Sequence, residues 1–375
     1  MTQSSARDPR SGTRRAVYNF SAGPACLPEP VMGEAQDNFR DFAGTGMSIL
    51  ETSHRSGAFM DMVVRAENDL RGLLDLGDDY AVLFLQGGAT FQFLMVALNL
   101  ARPGQSGAYV DTGHWSRKAI QLAREVRPVT VLVSAADNDY TMVPAQACWD
   151  SVPGDAAYLH FTGNETIDGL EFDFIPDVEE APLVADMSST ILSQPLSVQR
   201  FDLVYAGAQK NLGPAGLTLV ILRRELLERI QHEVPSQLDY RVQVAADSLF
   251  NTPPTLTWWM IGLQLAWLRE EGGLEEMARR ARERADRIYG VIDQSAGFYT
   301  NRVAPRSRSR TNIPFHTPAP DLDARFLDEA EAAGLYQLKG HRSRGGLRAS
   351  LYNAMPKAGV EALAEFMRDF ARRNG

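Results

Sequence analysis

The sequence predicts an α/β protein in which helices cover a mostly parallel sheet. Between residues 81 and 222, short apolar runs typical of buried strands alternate with stretches whose apolar residues recur at helical spacing. This alternation favours parallel strands joined by crossover helices. The composition agrees, because 44% hydrophobic and 23% charged residues are ordinary values for a globular protein. A chain of 375 residues is long enough for two domains.

The predicted elements follow one another closely along the chain. Helices are predicted at residues 31–42, 59–76, 91–100, 115–124 and 144–150, and strands at 81–85, 107–111, 129–133, 156–161, 183–185, 202–205 and 217–222. Beyond residue 241 the pattern changes, with helices predicted at 256–269, 274–292, 322–333 and 356–372 and strands at 311–315 and 345–351. We therefore expect a disordered tail over 1–15, a large domain over 16–269 and a small C-terminal α/β domain over 270–375.

Charge and cysteine content exclude several classes of partner. A formal net charge of −9 argues against nucleic acid and against an anionic membrane. Cys26 and Cys148 cannot form a disulfide framework, and no Cys/His spacing in the sequence resembles a metal site. No apolar run is long enough to span a bilayer, and the first fifteen residues lack the apolar segment of a secretory signal. We expect a cytoplasmic protein without a metal.

The stretch from 205 to 216, YAGAQKNLGPAG, sets one lysine on a tight turn between two predicted strands. Lys210 is flanked there by residues too small to shield it. Partial desolvation lowers the pKa of an amine and frees its lone pair, so a lysine held in this way is suited to form an imine with an aldehyde. The alternative is an ordinary surface lysine in a strand connection.

Other chemically useful residues recur where predicted strands end, which is where ligands of parallel sheets collect. A Gly-Gly turn followed by Ala89-Thr90 opens a predicted helix, an arrangement that suits a phosphate. Trp115 offers a flat face for stacking, and Asp186 could keep a pyridine nitrogen protonated. With Lys210, this set is typical of a pyridoxal 5′-phosphate (PLP) site. Taken singly, Asp186 could be a turn or cap residue and Trp115 a core aromatic.

Several longer motifs occur in a characteristic order: YNFS at 18–21, SHR at 53–55, NETIDG at 164–169, YAGAQKN at 205–211, FNTPP at 250–254, GHR at 340–342 and GLRASLYNA at 346–354. From about Tyr18 to the C-terminus, the sequence thereby resembles the phosphoserine aminotransferase family, in the class-V branch of the fold type I PLP enzymes. The resemblance implies a fold type I transferase with a large PLP-binding domain and a smaller C-terminal α/β domain. It also implies a homodimer with shared active sites.

The resemblance gives roles to individual residues. Lys210 would bind the cofactor aldehyde covalently and carry the proton, while Asp186 would face the pyridine nitrogen. The other cofactor contacts implied are Trp115, Thr166, Gln209, the backbone at Ala89-Thr90 and, across the dimer, Asn251 and Thr252. The substrate contacts implied are Arg348 for the α-carboxylate, and His54, Arg55, His341 and Arg342 for the distal anion. For the two His-Arg pairs, salt bridges at a domain interface are the alternative.

The implied reaction interconverts 3-phosphohydroxypyruvate plus L-glutamate with 3-phospho-L-serine plus 2-oxoglutarate, a step of serine biosynthesis. The 4-phosphohydroxythreonine step of pyridoxal phosphate synthesis stays open as a second use. Two departures are visible: Ala22 stands where many members have serine, and Ala89-Thr90 replaces the Gly-Arg of some members. Another class-V reaction, such as alanine–glyoxylate transamination or cysteine desulfuration, and a non-catalytic PLP-binding protein are the alternatives.

Overall fold

The computed structural model describes residues 17–375, so the tail predicted over 1–15 lies outside the described residues. The α-helices within that range are α1 (Glu29–Asn38), α2 (Gly57–Leu74), α3 (Gly88–Leu100), α4 (His114–Arg124), α5 (Glu225–Arg229), α6 (Tyr240–Ala245), α7 (Thr255–Glu270), α8 (Gly273–Asp293), α9 (Pro320–Ala332) and α10 (Lys357–Asn374). The strands are β1 (Tyr18–Asn19), β2 (Tyr80–Leu85), β3 (Gly107–Asp111), β4 (Val129–Ser134), β5 (Leu159–Thr162), β6 (Asn164–Glu165), β7 (Leu170–Glu171), β8 (Leu183–Asp186), β9 (Leu203–Gly207), β10 (Thr218–Arg223), β11 (Asn312–Phe315), β12 (Leu335–Tyr336) and β13 (Leu347–Ser350).

A seven-stranded sheet with the order β2-β10-β9-β8-β5-β3-β4 forms the centre of the structure. Strand β10 runs antiparallel to both of its neighbours, and every other pair in this sheet is parallel. The predicted α/β fold with a mostly parallel sheet is therefore confirmed. Strands β2, β3, β5, β8 and β9 share one direction, so their carboxyl ends lie at the same edge of the sheet.

Both faces of this sheet are covered, which explains why its strands are almost continuously apolar. Along β2, Val82 and Phe84 enter a core with α2 and α7, where Trp258 packs against Phe84 with ring centroids 5.0 Å apart. The intervening residues Leu83 and Leu85 enter the opposite core with α3 and α4. The alternation of side chains along a strand thus feeds two separate cores.

A further core gathers the C-terminal elements around α8, α10 and the β11–β13 pair. It also includes Phe20, because β1 pairs in parallel with β12 and brings Tyr18 opposite Leu335. Helix α8 starts against the first core at Leu274 and ends in this one with Ile292. The division into domains 16–269 and 270–375 stays a prediction.

One predicted helix is wrong. Residues 144–150 contain a single 3₁₀ turn, Gln146–Cys148, instead of an α-helix. The indole N–H of Trp149 donates to the carbonyl of Pro144 (3.1 Å), and the N–H of Asp150 donates to Leu132 of the edge strand β4 (3.0 Å). These bonds bend the segment back along the sheet edge, and they compete with helical hydrogen bonding. Helices α5 and α6 are not among the predicted helices, because each is too short for a helical repeat of apolar residues to show in the sequence.

Candidate active site

The Lys210 amine sits in the turn between β9 and β10, three residues after β9 ends. Its Nζ donates to Thr166 Oγ1 at 2.5 Å and to Ser189 Oγ at 2.9 Å. The two hydroxyl oxygens are themselves 2.8 Å apart. Burial lowers the pKa of Lys210 from 10.5 to about 8, although the charge of Asp186 opposes the shift. Such an amine is partly neutral near physiological pH, which is the form that reacts with carbonyls.

Asp186 ends strand β8 and is buried. Its Oδ1 accepts hydrogen bonds from the N–H of Ser188 (2.9 Å) and from the Ser188 hydroxyl (2.6 Å). The same hydroxyl oxygen accepts from the N–H of Gly207 at the end of β9 (3.0 Å), so it ties the two strand ends together. Burial raises the pKa of Asp186, while the nearby Lys210 charge lowers it. The carboxyl group is thus held in one orientation beside the lysine.

Trp115 is the second residue of α4 and presents its ring to the lysine. The Lys210 Nζ lies 5.5 Å from the ring centroid, within cation–π range. The carboxylate of Glu165 fixes the helix start, since it accepts from the backbone N–H groups of Trp115 and Ser116 at 2.8 Å each. Two of the N–H groups that a helix start leaves unpaired are satisfied in this way.

Asp168 completes the cap on α4 by accepting from the N–H of His114 at 3.0 Å. The preceding Gly113 leaves no room for a side chain, because a Cβ there would lie 2.6 Å from Glu165 Cδ and 2.7 Å from Asp168 Oδ2. The other oxygen of Asp168 accepts from Arg344 Nε at 2.7 Å. Asp168 therefore joins the cap of α4 to the C-terminal part of the chain.

Arg348, on β13, points a half-buried guanidinium towards the same place. Its Nη1 lies 3.5 Å from the Thr166 carbonyl oxygen. Burial lowers its pKa. Within residues 17–375, its buried Nε has no hydrogen-bond partner. An unpaired buried donor on a cation is costly unless an anion occupies the site, so this group is suited to bind a carboxylate.

The comparisons with known proteins agree on one family. Residues 17–363 match the family described as aminotransferase class-V. The chain belongs to this family. It is 53% identical over 359 residues to a phosphoserine aminotransferase of Stenotrophomonas maltophilia, with 96% of this chain and 99% of that relative covered.

Two solved structures resemble this class-V aminotransferase over nearly the whole chain. The phosphoserine aminotransferase of Bacillus circulans subsp. alkalophilus superposes with a TM-score of 0.94 at 44% identity, covering 96% of this chain and 99% of that one. A PLP-bound phosphoserine aminotransferase from Trichomonas vaginalis superposes with a TM-score of 0.89 at 37% identity, covering 94% of this chain and all of that one. The family resemblance stated from the sequence motifs is confirmed.

The helix that follows β2 supplies the predicted phosphate position in this aminotransferase. Gly87 has a φ of 104°, a conformation that favours glycine, and Ala89 and Thr90 lie in the first turn of α3. Because β2 and β9 are parallel, this helix start and the Lys210 turn leave the sheet at the same edge. The side chain of Gln209 folds back towards Gly207, where an added Cβ would lie 2.8 Å from its Oε1.

The predicted substrate residues divide into two groups. His341 lies beside His114, with ring centroids 5.2 Å apart, and Arg342 next to it is exposed. Burial, with the Arg348 and Arg342 charges, lowers the pKa of His341. The second pair, His54-Arg55, precedes α2. In the described part of the chain, no hydrogen bond, ion pair or ring contact joins this pair to the lysine or to His341 and Arg342.

Asn251 and Thr252 are exposed and lie near the start of α3. The carbonyl oxygen of Thr252 accepts from the Gln86 side chain at 3.1 Å, and Gln86 directly follows β2. The side-chain oxygen of Asn251 accepts from Gln237 at 2.9 Å. Their role across a dimer stays a prediction.

Ser189 and Glu165 belong to the site but were not among the residues predicted from the sequence. Ser189 holds the lysine amine, and Glu165 holds the backbone of Trp115. A signal for Ser189 exists in the sequence, because two consecutive serines follow a strand that ends in an acid. Glu165 lies inside the NETIDG motif, and its position next to Thr166 is the corresponding signal.

A cavity of about 630 Å³ lies elsewhere, between Phe172 and the arginine-rich segment 306–310. Its four arginines are already paired, in the ion pairs Arg200–Asp177, Arg306–Asp173, Arg308–Asp293 and Arg310–Glu171. The positive charge is therefore compensated, and the cavity lacks the reactive amine of the Lys210 site. In the part of the chain that the structure describes, no helix has the length and apolar content that crossing a membrane requires.

Proposed function

We propose that the protein is a PLP-dependent phosphoserine aminotransferase. It interconverts 3-phosphohydroxypyruvate plus L-glutamate with 3-phospho-L-serine plus 2-oxoglutarate, a step in serine biosynthesis. The observation that carries the proposal is the Lys210 amine, whose pKa is lowered to about 8 and which lies between the hydroxyls of Thr166 and Ser189. The curated relatives, which share about half of their residues with this chain, support the choice of substrate.

The residues at this edge of the sheet fit PLP. Lys210 offers an amine for the aldehyde, and Asp186 offers a buried carboxyl group for the pyridine nitrogen. Trp115 offers a ring face on the side of the amine, and the start of α3 offers unpaired N–H groups for the phosphate. When bound, PLP supplies an aldehyde that condenses with amines and a ring that accepts electron density from the substrate Cα.

The chain's own groups then bind, orient and move protons. Thr166 and Ser189 each accept a hydrogen bond from Lys210, which directs its Nζ towards the Trp115 face. With PLP bound, the Lys210 amine would take the proton from the substrate Cα as general base and would deliver it as general acid to the C4′ carbon of the cofactor, as transamination requires. Its lowered pKa suits both directions of transfer. Asp186, whose orientation Ser188 fixes, would offer its carboxyl group to the ring nitrogen of PLP.

Substrate recognition follows from the basic groups around the lysine. Arg348, whose Nε has no hydrogen-bond partner among residues 17–375, binds the α-carboxylate, which every amino-acid substrate carries. His341 and Arg342 bind the distal phosphate, and His54 and Arg55 complete that set. Gln209 and the backbone of Ala89 and Thr90, at the start of α3, would hold the phosphate of PLP. Planar guanidinium groups are well matched to these anions.

We also propose a symmetric homodimer with shared active sites. The large apolar side chains of Leu50, Phe91 and Phe250 are exposed. Phe91 lines the same surface pocket as Asn251, so apolar area surrounds the predicted cross-dimer contact. A second subunit would cover these side chains. It would also let Asn251 and Thr252 reach the partner's cofactor, and it offers a way for His54-Arg55 to meet His341-Arg342.

Sedimentation tests the dimer. Wild type should sediment as a dimer, and Phe250→Asp should shift it to monomer with loss of activity. Met142→Asp, at an exposed methionine beside Asn138, is the matched control and should stay dimeric. An active wild-type monomer would contradict the proposal.

We propose that the protein is located in the cytoplasm, because Cys26 and Cys148 are free thiols, as is typical of reducing compartments.

The reaction itself is tested with the purified holoenzyme. Phosphoserine and 2-oxoglutarate should give glutamate, measured by chromatography, and the absorbance of the bound cofactor should change on adding phosphoserine alone. Lys210→Ala should abolish the turnover. A wild type that turns over alanine with glyoxylate faster than phosphoserine with 2-oxoglutarate would overturn the substrate assignment.

A further inference from the structure

The loop from Gly340 to Gly346, here called the 340–346 loop, carries the predicted phosphate-binding pair His341-Arg342. It is closed by hydrogen bonds between Gly340 N–H and the Gly346 carbonyl (2.9 Å) and between Gly345 N–H and the His341 carbonyl (2.8 Å). Gly346 has a φ of 63°, and a Cβ there would lie 2.5 Å from His316. The loop conformation is therefore built on glycines. These local bonds fix its shape but not its position relative to α4.

Arg344 ties this loop to the sheet side of the site. Its Nε donates to Asp168 Oδ1 at 2.7 Å, and its Nη1 lies 3.3 Å from Asp139 Oδ1. The guanidinium also lies 5.5 Å from the Tyr140 ring centroid. Among the described residues, Arg344 is the only member of the loop whose side chain forms an ion pair.

The two carboxylates that bind Arg344, those of Asp168 and Asp139, differ in how strongly they hold it. The side chain of Asp168 is 3% exposed, whereas that of Asp139 is 65% exposed. The Asp168 pair is screened less by solvent, so it carries most of the attachment. Asp139 is in addition shared with Arg302, which lies outside the loop.

Asp168 also fixes the start of α4, because its other oxygen accepts from the N–H of His114. The His114 ring faces His341 of the loop, with centroids 5.2 Å apart. The buried Asp168 carboxylate therefore fixes the position of the 340–346 loop relative to α4, the helix that carries Trp115. Two carboxylates compensate the charge of Arg344, so Arg344 is not the group left free for a substrate anion.

From this arrangement we infer that Arg344 is a positioning residue that holds His341 and Arg342 at the distance the distal phosphate of the substrate requires. The inference rests on the proposed function for its substrate, and on the loop contacts alone for its structural part. The expected signature is a loss confined to substrates with a distal phosphate. The attachment of the loop should weaken at the same time.

The test compares Arg344→Gln, Arg344→Lys and the matched control Arg302→Gln, which removes the other arginine on Asp139. With Arg344→Gln, kcat/KM for phosphoserine should fall about tenfold, the order expected from a misplaced binding group. The half-reaction with L-alanine, which lacks a distal anion, should change less than twofold. Arg344→Lys should recover part of the loss, and Arg302→Gln should match wild type.

Hydrogen exchange supplies a readout that does not depend on activity. The N–H groups of Arg344 and Gly345 should exchange faster in Arg344→Gln than in wild type, and unchanged exchange would overturn the inference. Equal losses for phosphoserine and alanine would also overturn it. A loss for phosphoserine with unchanged exchange would instead assign Arg344 to direct phosphate contact. If wild type lacks transaminase activity but exchange responds as expected, the proposed function fails and the loop attachment stands.

Discussion

Glu165 positions Trp115 through the backbone: its Oε2 accepts a 2.8 Å hydrogen bond from the N–H of Trp115. The carboxyl group is fully buried, and its second oxygen accepts from the N–H of Ser116. The aromatic face beside Lys210 thus depends on an acid that does not itself touch the lysine. Desolvation raises the pKa of Glu165 from 4.5 to about 7, although the two N–H donors oppose the shift.

Glu165→Ala should lower the free energy of unfolding by about 1–3 kcal/mol, because it leaves the N–H donors of Trp115 and Ser116 without their partner. Urea denaturation measures this value. Glu125→Ala, at the exposed end of α4, is the control and should stay within about 0.5 kcal/mol of wild type. Because the pKa of Glu165 is higher in the folded than in the unfolded state, its contribution to the free energy of unfolding is fully present below pH 4.5. That contribution is lost as the pH rises through about 7. The difference between wild type and Glu165→Ala should therefore shrink from pH 5 to pH 8, and a constant difference would contradict the shift.

Lys210 in the protein without cofactor should react with added PLP at a rate that rises with pH and reaches half its maximum near pH 8. Its pKa is lowered to about 8, whereas an exposed lysine titrates near 10.4 and would give a midpoint about two units higher. Borohydride trapping at a series of pH values, followed by peptide mass spectrometry, measures the profile. Lys118→Arg is the control, since the Lys118 Nζ also lies 5.5 Å from the Trp115 ring. Labelling that maps to Lys118 would remove Lys210 from its proposed role.

Asp186→Asn should retain the fold but lower the kcat of transamination by at least about a hundredfold, in the range that positioned acid–base groups contribute. The amide keeps one oxygen for the Ser188 hydrogen bonds, but it carries no charge to hold a cationic ring nitrogen. Asp202→Asn, at the start of β9 and away from the strand ends that form the site, should keep kcat within about twofold. Steady-state kinetics with a circular-dichroism check of folding decides the matter. Near-normal turnover of Asp186→Asn would exclude Asp186 from the site.

Arg342→Ala should lower kcat/KM for phosphoserine much more than for L-alanine, while Arg348→Ala should lower it for both amino donors. Losing one charge-assisted bond to a buried anion costs about 1.5–3 kcal/mol, which corresponds to roughly tenfold to a hundredfold in kcat/KM. Arg348 is half-buried, and its Nε has no partner in the described part of the chain, so its loss should affect every substrate that carries an α-carboxylate. Half-reaction kinetics with the two donors separates the roles. Equal losses for both donors in Arg342→Ala would indicate a structural role instead.

Much of the fold can be predicted because its strands are long, apolar and regularly spaced. The predicted strand at 107–111 coincides with β3, and most other strands of the central sheet differ by one or two residues. The pairing of β1 with β12 could not be predicted, because two-residue strands carry no periodicity and their partners are remote in sequence. Residues 144–150 show helical spacing, but hydrogen bonds to Pro144 and Leu132 outweigh it. Those bonds exist only once the sheet is folded.

A site residue can be predicted from the sequence when its role follows from its residue type. It is harder to predict when its role depends on which other residues the fold brings close to it. Lys210, Thr166 and Trp115 do lie together in the structure, and their roles stay predictions. Ser189 and the ion pair between Arg344 and Asp168 were missed, because their partners come from separate elements that only the fold brings together. The position of His54 and Arg55 depends on a second subunit in our proposal, so one chain cannot decide it.

The parallel pairing of β1 with β12 has a consequence for the order in which the chain folds during synthesis. Tyr18 pairs with Leu335, so roughly three hundred residues separate the two strands along the chain. Contacts of such long sequence separation form late, since closing a large loop costs entropy before any contact repays it. The core around Phe20 therefore cannot form until most of the chain has emerged from the ribosome. We expect nascent chains that stop before residue 335 to leave this first strand exposed and to depend on chaperones.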